Sequence, residues 1–97
     1  MSDVLARDIA AINAQYLNLI ARNAGKKEEI ALRLNCSITF CEAVSELTLT
    51  EIQKVSDMGI CLMQPLIDAK TITNAAVLTI EQGRAHLRSA AKLKLGL

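Results

Sequence analysis

Residues 26–59, KKEEIALRLNCSITFCEAVSELTLTEIQKVSDMG, decide the fold, because three short amphipathic segments follow one another there with only capping residues between them. In the first segment, Ile30 and Leu34 recur at helical spacing, and the pattern stops at Asn35. Ser37 is then placed to cap a second helix, which makes residues 35–37 a tight corner.

Together with the first segment, the second and third segments give an order of short helices and turns that resembles a helix-turn-helix module. The apolar residues of the second segment are Phe40, Val44 and Leu47. Thr48 forms a capping-box pattern with Glu51 three residues later, which starts a third helix that ends near Gly59. Three helices of about ten residues each are marginal alone and must pack on another element.

Composition favours an all-α fold in one domain, residues 1–97. Hydrophobic residues make up 52% of the 97 residues while aromatic residues make up 2%. This suits closely packed helices better than a sandwich or barrel. A chain this small buries only roughly 60–70% of its unfolded surface, so self-association is an accessible source of stability. We divide the chain into a dimerisation core, residues 1–70, and a C-terminal region, residues 71–97.

The expected location is the cytoplasm, without membrane contact. No apolar run approaches the roughly 18 residues that a membrane span needs. The first ten residues, MSDVLARDIA, contain acids and lack the apolar region of an export signal.

The N-terminal segment, from Asp3 to about Asn23, is the longest periodic stretch, and Gly25 is expected to end it. Its apolar residues step by four and three, as in a coiled-coil seam, and we assign them to a dimer interface: Leu5, Ile9, Ile12, Tyr16 and Leu19. Leu17 and Ile20 widen the stripe, so the helix can touch both its own domain and a second copy. The alternative is an ordinary amphipathic helix on a monomeric core.

Residues 60–67, ICLMQPLI, form an apolar run interrupted by Pro65, which predicts an extended or irregular linker. Asp68 to Asn74 then resembles a turn. Thr71, Thr73 and Asn74 offer caps for a last helical region. That region contains Val77, Leu78, Ile80, Leu87, Ala90 and Ala91, with Gly83 as a kink or break.

Charge is unevenly distributed although the net charge is only +1. Residues 1–83 hold seven Lys/Arg against ten Asp/Glu, a balance of −3, whereas residues 84–97 hold four basic residues and no acid, a balance of +4. Arg84, Arg88 and Lys92 are spaced i, i+4 and i+8, one helix face that could follow a phosphate backbone, and Lys94 adds a fourth charge. If all four met phosphates, the salt slope would be about −3.6 per subunit. The alternative is a solvated face that complements its own helix dipole.

The acidic balance of the central segment argues against its reading the major groove. Residues 28–57 contain six acids against Arg33 and Lys54. A recognition helix that presented Glu42 and Glu46 would repel phosphates, so protein packing is the better role for this module.

The chain has three cysteines, Cys36, Cys41 and Cys61, whose number and spacing fit neither a disulfide framework nor a zinc ribbon. Buried free thiols are the favoured interpretation. The alternatives are a zinc site that recruits His86 and an intermolecular bridge through Cys61.

No nucleophile motif, phosphate loop or acid pair points to catalysis, so we expect no enzyme. His86, between Arg84 and Arg88, is expected as a neutral imidazole that is solvated or close to DNA rather than as a general base.

Three segments, DIAAINAQYLNLIAR, ALRLN and LTLTEIQKVSDMG, resemble the FlhD family, the smaller subunit of the bacterial flagellar master activator and of related activators on conjugative elements. The likeness runs from about Ile9 to Asp68, roughly two thirds of the chain. Its most recognisable points are Ile12-Asn13, Tyr16-Leu17, Arg33-Leu34 and Leu47-Thr48-Leu49. None is a catalytic signature.

The resemblance implies an all-α subunit that forms a homodimer and joins a larger FlhC-like partner. Together they would bind promoter DNA and recruit RNA polymerase, and zinc would belong to the partner, so this chain needs no cofactor or metal ligand. The family's C-terminal contribution to DNA binding maps onto Thr71 to Lys94. The short tail favours the conjugative-element branch.

The resemblance also bears on the linker. Flagellar relatives carry a cysteine there that can bridge two copies, but the register puts Met63 at that position and Cys61 two residues earlier. A shift of two residues in a strand keeps the same face, so we add both to the dimer interface.

The sequence therefore predicts a subunit of a DNA-binding transcriptional activator, with Arg84, Arg88, Lys92 and Lys94 on the DNA backbone. The competing prediction is an interaction adaptor that never touches DNA. A structural coiled-coil subunit would need heptads well past Gly25, and they stop there.

Overall fold

Helices make up the secondary structure that a computed structural model gives to the described residues, 3–64 and 67–96, and no strand occurs among them. Six α-helices are joined by short connections, and a 3-10 turn, Ala24–Lys26, follows the first. They are α1 (Asp3–Arg22), α2 (Lys27–Leu34), α3 (Ile38–Ser45), α4 (Leu49–Ser56), α5 (Ala69–Ala76) and α6 (Ile80–Leu95). The all-α prediction is confirmed.

Capping side chains start α3 and α4 where the sequence predicts. The Ser37 hydroxyl accepts a hydrogen bond from the Phe40 amide at 3.0 Å. Thr48 and Glu51 form the reciprocal capping box, with distances of 3.1 and 2.8 Å. Asn35 ends α2 in the left-handed conformation, with φ 57°, which an asparagine adopts more readily than most residues. Helices α2, α3 and α4 have eight residues each, slightly shorter than expected.

The core lies between α1 and the two helices packed on it, α3 and α4. Leu17 and Ile20 of α1 are 1% exposed and meet buried apolar residues of the short helices. These residues are Ala31 of α2, Cys36 between α2 and α3, Cys41 and Val44 of α3, and Ile52 of α4. Burying one face in this way stabilises helices too short to persist alone.

A buried amide joins α1 to the chain that follows α4. Asn13 is fully buried, and its Nδ2 donates to the carbonyl oxygens of Ser56 at 3.1 Å and Ile60 at 2.8 Å. Its Oδ1 accepts from the Leu62 amide at 2.9 Å. The segment after α4, residues 60–64, has neither helix nor strand, as predicted. The Asn13 side chain therefore supplies hydrogen-bond partners that secondary structure would otherwise provide to the backbone. Pro65 lies outside the described residues.

The C-terminal part is a helical hairpin, which the sequence interpretation missed. Residues 69–76 form α5 rather than the predicted turn, and Asp68 caps it by accepting from the Thr71 amide at 2.8 Å. Thr79 forms a capping box with Gln82 and starts α6, so the caps proposed at Thr71, Thr73 and Asn74 are wrong. The expected boundary at residues 70/71 falls inside α5. The hairpin packs on the rest of the protein through contacts between α6 and α2.

Gly83 lies within the continuous helix α6, so the predicted kink or break is wrong. The residue is buried, and a Cβ atom built there would lie 3.3 Å from the carbonyl oxygen of Ala75 in α5. Glycine at this position therefore allows the two hairpin helices to approach each other closely, and this outweighs the low helix propensity of glycine.

None of the helices in the described ranges has both the length and the apolar character needed to cross a bilayer.

Replacing Asn13 should test the link between α1 and residues 56–62. We expect Asn13→Ala to lower the free energy of unfolding by about 2–4 kcal/mol, because buried backbone groups lose their partners. Urea denaturation followed by circular dichroism measures it. The matched control is Asn18→Ala, which removes an amide bonded only within its own helix, to the carbonyl of Ala14. Equal effects of the two variants would contradict the assigned role.

Substitution of Gly83 should test the hairpin contact. Gly83→Val should destabilise the protein by about 1–3 kcal/mol, since the added carbons press on the Ala75 carbonyl. Ser89→Val, at an exposed position of the same helix, should change stability by less than about 0.5 kcal/mol. Thermal unfolding distinguishes the two. A stabilising Gly83→Val would mean that residue 83 has free space.

Candidate nucleic-acid interface and self-association surface

The predicted DNA-binding residues all lie on α6 and are exposed. Arg84, Arg88 and Lys92 follow one another at four-residue intervals along it, and Lys94 lies in the last turn beside the start of α5. The pKa of Asp68 is lowered mainly by its hydrogen bonds from Thr71, and the charge of Lys94 contributes. Helix α6 thus presents its positive charges to solvent.

An open groove of about 920 Å³ lies between the C-terminal half of α2 and the α5–α6 hairpin. We call it the basic groove, because three arginines line it: Arg33 from α2 and Arg84 and Arg88 from α6. Lys92 and Lys94 are not among its lining residues. The structure therefore divides the four predicted residues into a pair in the groove and a pair outside it.

Glu29 connects the two helices that border the basic groove. Its carboxylate lies 3.6 Å from Arg33 on the same helix and 3.7 Å from Arg88 on α6. All three side chains are roughly half exposed or more, so each ion pair contributes little to stability. Arg84 has no acidic partner in the described part of the chain, which leaves a net positive rim.

Arg33 is the site residue that sequence reasoning missed. Only the net charge of the central segment as a whole entered the prediction, whereas Arg33 of α2 lines the groove next to the hairpin and neither Glu42 nor Glu46 does. The signal was the i, i+4 pair of Glu29 and Arg33, which places both on one helix face.

The predicted N-terminal seam is only partly a surface. Leu5 and Ile12 are 59% and 41% exposed, and Ile9 and Leu19 are half-buried. Tyr16, assigned to the dimer interface, is 7% exposed and belongs to the core of its own chain. Periodicity places Tyr16 on the stripe, but α1 begins to be covered by α3 and α4 at that level. We correct its assignment accordingly.

Tyr16 packs beside the two buried thiols. Its ring centroid lies 6.1 Å from that of Phe40, and the sulfur atoms of Cys36 and Cys41 are 3.4 Å apart. Burial raises the pKa of the Cys41 thiol to about 12, with the thiol of Cys36 adding to the shift. Burial likewise raises the pKa of the Tyr16 phenol. The prediction of buried free thiols is confirmed for Cys36 and Cys41 but not for Cys61, which is exposed. No group of three potential metal ligands occurs among residues 3–64 and 67–96.

The linker residues assigned to the dimer interface lie beside α1. Leu62 packs against the core, while its neighbours Cys61 and Met63 are exposed. The bonds from Asn13 to the backbone of Ile60 and Leu62 hold this segment next to the α1 stripe. Exposed apolar side chains from two elements, Leu5 and Ile12 with Ile60 and Met63, thus form what we call the apolar α1 surface.

His86 is not the solvated imidazole that the sequence suggests. It is half-buried, and its Nε2 atom is buried with no hydrogen-bond partner among the described residues. It lies on α6, three residues after Gly83.

Comparison with known proteins identifies no relative: no protein family model, no curated protein and no solved structure matches this chain. The resemblance to the FlhD family therefore rests on the residues quoted above.

A charge placed on the apolar α1 surface should prevent self-association. We expect Ile12→Asp, and likewise Leu5→Asp, to convert a dimer into a monomer, because a carboxylate would be buried without a partner. Ala11→Asp, at an exposed position of the same helix off the stripe, is the control and should stay dimeric. Sedimentation velocity measures the mass. Variants that sediment as the wild type does would show that the interface lies elsewhere.

Proposed function

We propose that this chain is a non-catalytic subunit of a DNA-binding transcriptional activator. It would act as a homodimer with a larger FlhC-like partner, bind promoter DNA and recruit RNA polymerase. The observation that carries the proposal is the alignment of Arg84, Arg88 and Lys92 along one exposed helix, α6. The family resemblance supplies the partner and the process.

Contact with the DNA backbone follows from the spacing of these charges. Residues four apart on a helix are separated by roughly 6 Å along its axis. That distance is close to two base-pair steps of about 3.4 Å along one strand, so successive side chains can reach every second phosphate of that strand. Such contacts hold a protein in register without reading sequence, which leaves promoter selection to the partner.

The acidic residues on and between α3 and α4 would support protein contacts. Glu42, Glu46 and Glu51 are exposed, and only Glu42 is engaged in an ion pair, with Lys27 at 2.7 Å. Their charge would repel phosphates, so the helix-turn-helix-like order of α2, α3 and α4 serves packing or partner docking in this proposal rather than groove reading.

Dimerisation would double the charge available to DNA. The apolar α1 surface is on α1 and residues 60–63, whereas the basic residues are on α6, so both functions can operate at once. Two copies of α6 would present eight positive side chains, and full engagement would give a salt slope of about −7.

The proposal places this chain in the cytoplasm and assigns it no cofactor, since zinc would belong to the partner. We favour the conjugative-element branch of the family over the flagellar one.

An interaction adaptor without DNA contact is the second candidate function. It is favoured by the ion pair between Glu29 and Arg88, which engages one of the predicted DNA contacts within the chain itself. On this alternative the positive charges of α6 would be solvated or would bind a protein.

Promoter binding tests the two functions. The chain, an FlhC-like partner and the co-purified pair are each titrated with promoter DNA at two or more salt concentrations. We expect a specific, salt-sensitive shift only with the pair. Arg84→Gln combined with Arg88→Gln should weaken binding and reduce the salt slope by about 1.8 per subunit, because two phosphate contacts are lost.

The matched control is Arg7→Gln combined with Arg22→Gln, which removes two exposed charges from α1 instead. Unchanged affinity and slope in the α6 variant would contradict DNA contact by Arg84 and Arg88. A pair that forms but never shifts DNA would support the adaptor.

A further inference from the structure

The basic groove is lined by apolar side chains as well as by arginines. Ile72 of α5 and Ile80 of α6 line it and are 57% and 80% exposed. Leu87, half-buried, continues the aliphatic surface between them and α2. Phosphate contact gains nothing from these side chains, so an apolar part of a ligand must account for them.

The arginines that line the groove favour a ligand that carries negative charge. Arg33 and Arg84 lie on opposite helices bordering the groove, and Glu29 is shared between Arg33 and Arg88 at distances above 3.5 Å. A ligand carboxylate can therefore displace Glu29 or pair with Arg84 directly, with the bidentate geometry that guanidinium groups favour. The groove therefore suits a ligand that has an apolar face and an acidic flank.

The size of the groove suits a helix. A helix with its side chains is roughly 10–12 Å across, and three turns extend about 16 Å. A groove of about 920 Å³ can accommodate one face of such a helix.

We propose that the basic groove docks an acidic amphipathic helix of a partner protein. Apolar residues of that helix, spaced i, i+3 or i+4 and i+7, would lie on Ile72, Ile80 and Leu87, as in other helix-in-groove complexes. Carboxylates on its flank would pair with Arg33 and Arg84. The inference goes beyond the proposed function: with a helix docked, Arg84 pairs with that partner and not with DNA, while Lys92 and Lys94, which lie outside the groove, stay available to DNA. The free groove leaves Arg84 and Arg88 to the DNA backbone, as in the proposed function.

The probe is a fluorescein-labelled synthetic helix of about four turns, with leucine at the i, i+3/i+4 and i+7 positions and glutamate along one flank. Fluorescence anisotropy follows its binding to the intact chain. We expect micromolar affinity, at least tenfold tighter than for a scrambled peptide of the same composition. Arg84→Gln and Ile72→Ser should each weaken binding about tenfold.

Two matched controls isolate the groove. Lys92→Gln removes a positive charge from the same helix outside the groove, and Val77→Ser replaces an 84% exposed residue of the hairpin connection that does not line it. Neither should change peptide affinity by more than about twofold. Circular dichroism of every variant confirms the fold.

Three results would overturn the inference. One is no binding up to roughly 1 mM peptide, the range of very weak complexes. Another is equal loss of affinity in Lys92→Gln and Arg84→Gln, which would indicate unspecific charge attraction. The third is displacement of the peptide by duplex DNA together with full affinity in Ile72→Ser, which would make nucleic acid the occupant. Promoter binding that survives in Ile72→Ser would leave the proposed function intact.

Discussion

The buried amide of Asn13 is the constraint on which the arrangement of this protein depends. Residues 60–62 have no strand or helix of their own, and Asn13 supplies bonds to the backbone of Ile60 and Leu62 from the middle of α1. With Leu62 held inward, Cys61 and Met63 face solvent. One hydrogen-bonding side chain therefore decides which residues of this segment are exposed.

The second joint of the fold, between α2 and α6, includes a weak electrostatic contact. Helix α6 meets α2 beside the carboxylate of Glu29, which attracts an arginine from each helix at distances typical of exposed pairs. The same contact brings positive charge from two distant parts of the sequence to one groove. Along the sequence, the acidic central segment and the basic C-terminal residues are separate, but the fold brings charged side chains of both together. The net charge of a segment therefore does not describe the surface to which that segment contributes.

Local chemistry was predictable, and spatial neighbours were not. Ser37 and Thr48 cap helices as their spacing indicates, because a cap involves residues three apart. Asp68 was taken for a turn residue, since the same side chains cap helices and form turns. Gly83 was misassigned because helix propensity does not show that the Ala75 carbonyl lies close to it. Tyr16 was misassigned because periodicity does not show that α3 covers it. The function, the dimer and the FlhC-like partner stay proposals that rest on resemblance and charge.

The hairpin of α5 and α6 packs on the rest of the protein chiefly through α2. A part of a protein that has fewer buried apolar contacts opens locally at lower free energy. No residue of α5 is buried and α6 buries Gly83 and Ala91, so the hairpin is such a part. Local opening would widen the space between α2 and α6 while the bonds of Asn13 stay intact. A ligand that spans this space stabilises the closed form by mass action, so occupancy there sets how firmly the C-terminal helix is held.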